Sequence, residues 1–334
     1  MKAGGGRVST MSLFPLLQCA RAEGLDVADL LTGSRLTEAL LLDPAATLDF
    51  AEELVVVGNY LRLTREICPG LRASAHYHYN SFGVLGAALV SHANMLDACR
   101  FLVAHVALTF TPFQVLMSED ATSLVACYRD RRDLAACRSY YLLRDLAFVR
   151  NLCREADPEH GSQLISAMDI ALEEPAHAAL IRDFFGWPLR FGASETLIRA
   201  DKTRLMQPLR LANAMTLAVM QRQCHELLQA RQDNWRQRVE AQLAVMAPPG
   251  DLAAIAAALC CSERTLRRHL QQEGCSFQEV QMAWQQQRAI HFLRHSRLSV
   301  ESIAHRLGYS ETAAFAHAFK RWMGMTPSQF RHQD

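Results

Sequence analysis

The sequence lacks most of the features that would place it in a membrane or in an oxidising compartment. No apolar run is long enough to span a bilayer, and Met1 to Thr10 form a polar, glycine-rich start unlike a secretory signal. The ten cysteines form no CxxC pair and no regular framework, and most of them occupy apolar helical positions. We therefore expect a cytoplasmic protein whose cysteines are reduced residues of the core.

Motifs of catalysis are also missing. The sequence has no glycine-rich phosphate loop, no nucleophile elbow, no HExxH and no paired carboxylates in a setting that would tune them. We expect no enzyme activity, no catalytic residue and no cofactor. His76 and His78 would share one face of a strand, but no third ligand is visible nearby, so we expect no metal site. A redox switch at Cys260 and Cys261 is the alternative for the cysteines.

Length and charge indicate two parts of different character. The chain has 334 residues, half of them hydrophobic, which is enough for two domains with their own cores. The formal net charge of +1 is unevenly divided: residues 251–334 carry ten basic and seven acidic residues, and the remainder carries 25 and 27. The C-terminal excess of positive charge is modest, so specific contacts would matter more than bulk attraction.

The stretch from Asp251 to Arg331 contains one pattern twice. Each copy has an apolar stripe at helical spacing, a short break and a second stripe at i, i+4, which predicts a helix, a tight turn and a second helix. The first copy consists of Ile255, Ala256, Leu259, Leu266 and Leu270, and the second of Ile303, Ala304, Leu307, Phe315 and Phe319. The helix-turn-helix motifs are predicted near residues 251–272 and 299–322.

The turn residues support this interpretation. Gly308 can adopt the left-handed conformation that ends a helix, and Ser310 can cap the helix that follows. In the first copy Cys260 stands where Gly308 stands, and Ser262 is the matching cap. Asp251 can cap the first helix of the first copy.

The second helix of each copy has a different charge at its outward positions. In the first copy they are Glu263, Arg264, Arg267, Arg268 and Gln271, and in the second they are Thr312, Ala313, Ala316 and His317, followed by Lys320 and Arg321. Guanidinium groups can pair with guanine O6 and N7 or with phosphate. We expect Ser262, Lys320 and Arg321 to contact DNA phosphates. Arginines that only aid solubility are the alternative, which two matched copies make less favourable.

A long helix from about Ser276 to His295 separates the copies. About eighteen residues at 1.5 Å each span roughly 27 Å. Successive major-groove faces on one side of B-DNA lie about 34 Å apart. Such a helix could therefore hold two recognition helices in adjacent grooves. The glutamines along it are interpreted as a solvated face.

The C-terminal residues resemble the DNA-binding domain of the AraC/XylS family of bacterial transcription regulators. The resemblance rests on Ser262-Glu-Arg-Thr-Leu-Arg-Arg-His-Leu-Gln-Gln-Glu-Gly274, on Leu298 to Ser310, and on Phe319-Lys-Arg-Trp322 with Gly324 and Pro327. It implies base contacts by Arg264, Arg267, Arg268, Thr312, Ala313, Ala316 and His317. The family usually has arginine where this chain has His317, so we expect the first recognition helix to dominate sequence readout.

The N-terminal region is predicted to be a mixed α+β domain with a small antiparallel sheet. Ala107–Met117 and Ala121–Arg129 alternate as in a hairpin, and a long helix follows from Leu134 to about Ala156. Gly83-Val-Leu-Gly86 and Phe184-Phe-Gly-Trp-Pro188 to Ala193 resemble the arabinose-binding-like N-terminal domain of one branch of AraC-type regulators. That resemblance implies a sensor or dimerisation domain, and it does not imply that arabinose is the ligand.

We predict a flexible N-terminus over residues 1–14, an effector-binding or dimerisation domain over 15–229 and an all-α DNA-binding domain over 230–334. The helix from Leu211 to about Gln229 would either pack beneath the sensor or form a dimer seam. The predicted function is a bacterial, sequence-specific transcription regulator, and the family resemblance implies activation more often than repression. Its expected partners are double-stranded DNA, a small-molecule effector, a second copy of the chain and RNA polymerase, with no membrane. The alternatives are an effector-independent DNA-binding protein and a partner-binding adaptor.

Overall fold

The computed structural model describes residues 7–43, 46–230, 235–246, 249–259 and 261–332. The chain divides into two compact units. Unit 1 comprises the described residues of Met1–Ala87, Thr109–Gln114 and Tyr128–Thr196, and unit 2 comprises those of Ala88–Leu108, Val115–Cys127 and Leu197–Asp334. Helices dominate both units. None of the helices in these ranges is both long and apolar enough to cross a lipid bilayer.

The elements follow one another as the α+β prediction requires, with an all-helical C-terminal region. The strands are β1 (Arg7–Ser9), β2 (Thr47–Asp49), β3 (Phe113–Glu119), β4 (Ser123–Asp130), β5 (Ile165–Asp169), β6 (Leu189–Arg190) and β7 (Thr196–Asp201). The helices are α1 (Phe14–Ala22), α2 (Val27–Leu31), α3 (Glu38–Leu41), α4 (Phe50–Leu63), α5 (Pro69–Ser74), α6 (Val84–Ser91), α7 (Met95–Ala104), α8 (Arg138–Ala156), α9 (Ala178–Phe185), α10 (Lys202–Leu205), α11 (Ala214–Ala230), α12 (Trp235–Val245), α13 (Leu252–Ala258), α14 (Glu263–Gln272), α15 (Phe277–His295), α16 (Val300–Arg306), α17 (Thr312–Met323) and α18 (Pro327–Arg331).

The predicted hairpin is confirmed as β3 and β4, which are neighbouring strands. Its turn is fixed by Asp120, whose carboxylate accepts hydrogen bonds from the backbone N–H groups of Thr122 and Ser123 at 2.9 and 2.8 Å. Short polar side chains stabilise tight turns in this way. Strand β7 lies on the other side of β4.

The expectation of an antiparallel sheet is wrong for β5 and β6. These strands pair in parallel, with Met168 opposite Leu189 and Asp169 opposite Arg190. A parallel pair needs a long crossover, and α9 provides it between the two strands. Strands β1 and β2 pair antiparallel, with Val8 opposite Leu48. The chain from Arg7 onward therefore differs from the flexible segment expected through residue 14.

The interior of unit 1 contains a buried arginine. Arg144 is 2% exposed, donates from Nε to Asp145 Oδ1 at 2.8 Å, and lies 4.8 Å from the ring centroid of Tyr141. The Tyr141 hydroxyl donates to Glu53 Oε1 at 3.1 Å, and Glu53 is 1% exposed. Burial raises the pKa of Glu53 to about 7, although the nearby Arg144 charge lowers it. These hydrogen-bonded polar residues belong to the core of the predicted sensor region.

The expectation that His76 and His78 share a strand face is wrong. They follow α5 and precede a 3₁₀ turn at Tyr79–Phe82. The intervening Tyr77 is buried, and its hydroxyl donates to the Ser12 carbonyl oxygen at 2.8 Å, which holds the chain in this turned path. His78 pairs with Glu155 at 2.5 Å between Nδ1 and Oε1. The two histidines therefore do not lie side by side on a strand.

The predicted apolar stripes of the C-terminal region are confirmed as its core. Every residue of the two stripes is at most 5% exposed. They pack with residues of α12 and α15, among them Trp235, Val239, Trp284 and Phe292. The long helix between the two copies is α15, and its N-terminus has a capping box in which Ser276 and Glu279 bond each other's backbone N–H groups.

Candidate DNA-binding surface

The first helix-turn-helix motif consists of α13 and α14. Asp251 caps α13 by accepting from the backbone N–H of Ala254 at 2.9 Å, as predicted. Ser262 caps α14 by accepting from the backbone N–H of Thr265 at 3.1 Å, also as predicted. Cys260 lies outside the described residues. Leu266 and Leu270 are both 0% exposed, so the opposite face of α14 points to solvent.

That opposite face carries three exposed arginines. Arg264, Arg267 and Arg268 lie one helical turn or less apart and are all exposed. Arg267 Nη2 lies 3.3 Å from Glu263 Oε2. Such exposed i, i+4 pairs contribute little free energy, so DNA can displace them. In the part of the chain that the structure describes, Arg264 and Arg268 have no ion pair. These guanidinium groups are therefore available to an anionic or base-edge partner.

The second motif consists of α16 and α17. Ser299 caps α16 by accepting from the backbone N–H of Ser302 at 3.0 Å. Gly308 has a φ of +85°, which confirms the predicted left-handed residue after the first helix. The predicted cap by Ser310 is wrong, because α17 begins one residue later. Glu311 occupies the N-cap position with an extended backbone and makes no side-chain cap hydrogen bond.

The outward face of α17 is nearly free of charge at its start. Thr312, Ala313 and His317 are exposed, and Ala316 is half-buried at the edge of this face. Lys320 and Arg321 are exposed one turn further on. The face therefore offers methyl groups, one hydroxyl and one imidazole before its two cations. The base-contacting and phosphate-contacting roles of all these residues stay predictions.

Helix α12 is fixed to the first motif by aromatic and polar contacts. The rings of Trp235 and His269 are stacked with their centroids 4.2 Å apart, and the Arg238 guanidinium lies 3.9 Å from the Trp235 ring centroid. Glu273 at the end of α14 accepts at 2.9 Å from the backbone N–H of Arg236. Helix α14 is thus stabilised by its contacts with α12 as well as by the cap at its N-terminus.

Gln285 positions the second motif, which the sequence did not indicate. The predicted solvated face of α15 does not include Gln285, which is half-buried and donates from Nε2 to the Leu307 carbonyl oxygen at 2.8 Å. The Tyr309 hydroxyl donates to Gln285 Oε1 at 3.3 Å. One side chain of α15 thereby bonds to both sides of the turn between α16 and α17.

A cavity of about 790 Å³ lies within unit 2. It is lined by residues of α7, α11, α12, α15 and α16, among them Phe101, Trp284 and Arg288. The Arg288 guanidinium donates from Nη1 to the Met117 carbonyl oxygen and lies 4.7 Å from the Phe292 ring centroid. Burial, together with the nearby Arg306 charge, lowers the pKa of Arg288 to about 10. The cavity thus combines aromatic surface with an incompletely compensated cation.

The described cysteines are free thiols, and most of them are buried. Burial raises the pKa of Cys19 and of Cys224 to about 11. A thiol with so high a pKa is a poor nucleophile at neutral pH. These residues therefore behave as core residues, as expected. The alternative of a redox switch involves Cys260, which the structure does not describe.

The two helix-turn-helix motifs are joined by one long helix, and α14 presents guanidinium groups on its outward face. These features define a helix-turn-helix DNA-binding protein. Two family models match the chain. The arabinose-binding domain of AraC transcription regulator, N-terminal, matches residues 24–209, and a helix-turn-helix domain matches residues 255–333. The chain belongs to the AraC family of transcription regulators.

Several relatives match the chain over most of its length. The chain is 27% identical over 328 residues to the ornithine utilization regulator of Pseudomonas aeruginosa, covering 95% of this chain and 94% of the relative. It is 28% identical over 286 residues to the transcriptional regulator VqsM of the same species, covering 79% and 83%. The crystal structure of the regulator CdpR from Pseudomonas aeruginosa matches with a TM-score of 0.50 at 22% identity. The match covers 96% of this chain and 98% of that chain, which supports the fold. The chain is a DNA-binding transcription regulator, as predicted.

Proposed function

We propose that the protein reads an asymmetric DNA site by inserting α14 and α17 into successive major-groove segments, and that a small-molecule effector changes its affinity for that site. The exposed arginine face of α14, held outward by a capped turn and a buried stripe, is the observation that carries the proposal. An arginine on such a face can form two hydrogen bonds to guanine, which discriminates bases by about 1–3 kcal/mol per pair.

The two recognition helices would make different kinds of base contact. Arg264, Arg267 and Arg268 supply base contacts at one groove segment. Thr312, Ala313, Ala316 and His317 supply methyl and single hydrogen-bond contacts at the other, where readout is weaker. Ser262, Lys320 and Arg321 would bind phosphates and fix the register without reading sequence. The half of the DNA site that contacts α14 should therefore be bound more tightly than the half that contacts α17.

The length of α15 suits this arrangement. Its 19 residues extend about 28 Å at 1.5 Å per residue. Successive major-groove segments on one face of B-DNA are about 34 Å apart. The difference of about 6 Å is smaller than the diameter of one helix, about 10 Å. Gln285 would keep the second motif at a fixed angle to this helix.

The cavity of unit 2 is our candidate for the effector site. Its aromatic lining and the buried cation of Arg288 favour a small anionic molecule with an apolar body, since a buried cation is stabilised by a paired anion. Arg100 also lines the cavity, but it already pairs with Glu119 at 2.8 Å and Asp97 at 2.9 Å. Arg306 of α16 lines the same cavity, so an occupant could bias the second motif directly.

A homodimer through α11 completes the proposal. Leu217, Met220, Cys224 and Leu228 face inward on this helix and are at least half-buried. Met215 and Val219 are 83% and 52% exposed on another face. An apolar face left exposed on one helix is suited to self-association, because a twofold axis pairs the same patch of both copies. This favours the dimer seam over packing beneath the sensor.

The sign of regulation is proposed from a relative. Over 79 residues the chain is 44% identical to the urease operon transcriptional activator of Escherichia coli, which covers 24% of this chain and 27% of that protein. We infer that this protein also activates transcription, through contact with RNA polymerase bound beside its site. We place it in the bacterial cytoplasm, because its DNA target lies there.

The test is footprinting of the full-length protein on the promoter region of its own gene across a salt series. We expect two protected major-groove segments one helical turn apart, with stronger protection at one of them. A genome-wide selection of bound fragments identifies the site if it lies elsewhere. If no discrete segment is protected in either experiment, the C-terminal helices serve a protein partner and the proposal fails. Thermal-shift screening with small carboxylates, compared between the wild type and Arg288→Met, tests the effector site.

A further inference from the structure

Three side chains outside the DNA-binding surface converge within unit 2. They are Cys127 on β4 and the pair His291 and His295 on α15. The cysteine sulfur and one ring nitrogen of each histidine all lie within 4.8 Å of one another. Cys127 and His291 are both 0% exposed, and His295 is half-buried. The site is therefore enclosed, with one ligand close to solvent.

Local structure explains why these atoms meet. His291 and His295 are four residues apart on α15, so they lie on one helix face, with ring centroids 5.0 Å apart. Cys127 alternates inward on β4 with Val125 and packs with Leu116 and Leu197. The helix presents two nitrogens, and the strand presents one sulfur toward them from an apolar surrounding.

We propose that Cys127, His291 and His295 bind a Zn²⁺ ion. One thiolate and two imidazoles form a donor set that zinc prefers, whereas Mg²⁺ and Ca²⁺ require oxygen ligands. Zinc binds sulfur at about 2.3 Å and imidazole nitrogen at about 2.0–2.1 Å, which places neighbouring ligand atoms less than about 4 Å apart. Side-chain rotations that bring the atoms closer by about 1 Å complete this geometry. The fourth position is left to water, reached from the side of His295.

Binding requires the thiol of Cys127 to lose its proton to solvent or buffer as the zinc–sulfur bond forms. The ion replaces that proton, and no oxidation or reduction is involved. Zinc at this position would tie β4 to α15, the helix that joins the two helix-turn-helix motifs. Any effect on DNA affinity rests on the proposed function, whereas metal binding itself does not.

The test uses the full-length, reduced protein after removal of metal with a chelator. Titration with Co²⁺ should give about one bound ion per chain with the sulfur-to-cobalt absorption of a thiolate ligand, and Zn²⁺ should displace it. The variants Cys127→Ser and His295→Gln should lose the absorption. His295→Gln changes a half-buried side chain, so its fold is checked by circular dichroism and it serves if Cys127→Ser does not fold.

The matched controls are Cys153→Ser, which removes a buried thiol elsewhere, and His305→Gln, which removes an exposed imidazole of unit 2. Both should bind Co²⁺ as the wild type does. A wild-type protein that shows no thiolate absorption at stoichiometric Co²⁺ would overturn the proposal. The same absorption in folded His295→Gln would also overturn it, because the ion would then be bound by another set of residues.

Discussion

The side-chain amide of Gln285 lies 2.8 Å from the carbonyl oxygen of Leu307, which follows the last residue of α16. Carbonyl groups at the end of a helix have no partner within that helix. Gln285 supplies one from α15 and also accepts from the Tyr309 hydroxyl at 3.3 Å. The turn of the second motif is thus stabilised from outside the motif.

Replacing Gln285 with alanine should lower the free energy of unfolding by about 1–2 kcal/mol, because it leaves the carbonyl oxygen of the buried Leu307 and the Tyr309 hydroxyl without this partner. Denaturant unfolding measures the change. Gln278→Ala, an exposed position on the same helix, should change the free energy by less than about 0.5 kcal/mol. Equal losses in the two variants would show that Gln285 acts only through helix propensity.

Arg267→Ala or Arg268→Ala should reduce discrimination between the cognate site and random DNA by about 1–3 kcal/mol, since the substitution removes a guanidinium that pairs with guanine through two hydrogen bonds. Dissociation constants for both duplexes at one salt concentration give the ratio. Arg297→Ala removes the same charge from an exposed position between α15 and α16 and should leave the ratio unchanged. An unchanged ratio in both α14 variants would remove the base-reading role.

Lys320→Ala should weaken binding to cognate and random DNA by the same factor, because a phosphate contact carries no sequence information. The slope of log K against log salt should become shallower by about 0.9, since one fewer phosphate is neutralised. Binding isotherms at four or more salt concentrations measure it. A change in sequence preference would instead assign Lys320 to the bases.

The stability of the protein should depend on pH through Glu53. Burial raises its pKa from an ordinary 4.5 to about 7, so the folded chain holds this proton more tightly than the unfolded chain. The stabilisation from protonated Glu53 is complete below the pKa that this carboxyl has in the unfolded chain, and it is lost as the pH rises to about 7. The loss is at most about 1.4 kcal/mol per pH unit. In thermal unfolding between pH 5 and 7.5, the wild type should therefore lose more stability than Glu53→Gln. Glu226→Gln, which removes an exposed carboxylate, controls for the change in charge. If the stability of Glu53→Gln changes with pH in parallel with that of the wild type, the prediction is refuted.

Met215→Glu should convert a dimer to a monomer in sedimentation experiments, because it places a charge in the proposed apolar seam. Met206→Glu provides the comparison, since Met206 is 58% exposed outside α11 and should leave the dimer intact. Dimers in both variants would locate the contact on another surface, and a monomeric wild type would exclude the dimer.

The C-terminal motifs were predictable because their signals are local. Stripes at helical spacing, a glycine after α16 and capping residues before α13 and α14 each act over a few neighbouring residues. The error at Ser310 has the same origin. Leu307 and Phe315 are one position further apart than Leu259 and Leu266, and this added residue moved the N-cap to Glu311. Sequence spacing alone does not decide which of two polar neighbours takes the extended conformation.

Features that depend on distant contacts were missed. The parallel pairing of β5 and β6 follows from where α9 packs, which no local pattern reports. His76 and His78 have strand-like spacing, but the burial of Tyr77 turns the chain there. Cys127 is far in sequence from His291 and His295, so only folding brings them together. The i, i+4 spacing of the two histidines was the one local signal, and it was present in the sequence.

The stacking of Trp235 on His269, together with the hydrogen bond from the start of α12 to Glu273, has a practical consequence for dissecting this protein. A fragment that begins at the helix-turn-helix match would lose the indole that covers His269 and would leave the back of the recognition helix open to water. Domain excision should therefore cut ahead of Trp235. Fragments trimmed closer to the motif would measure the loss of this support as well as the reading of DNA.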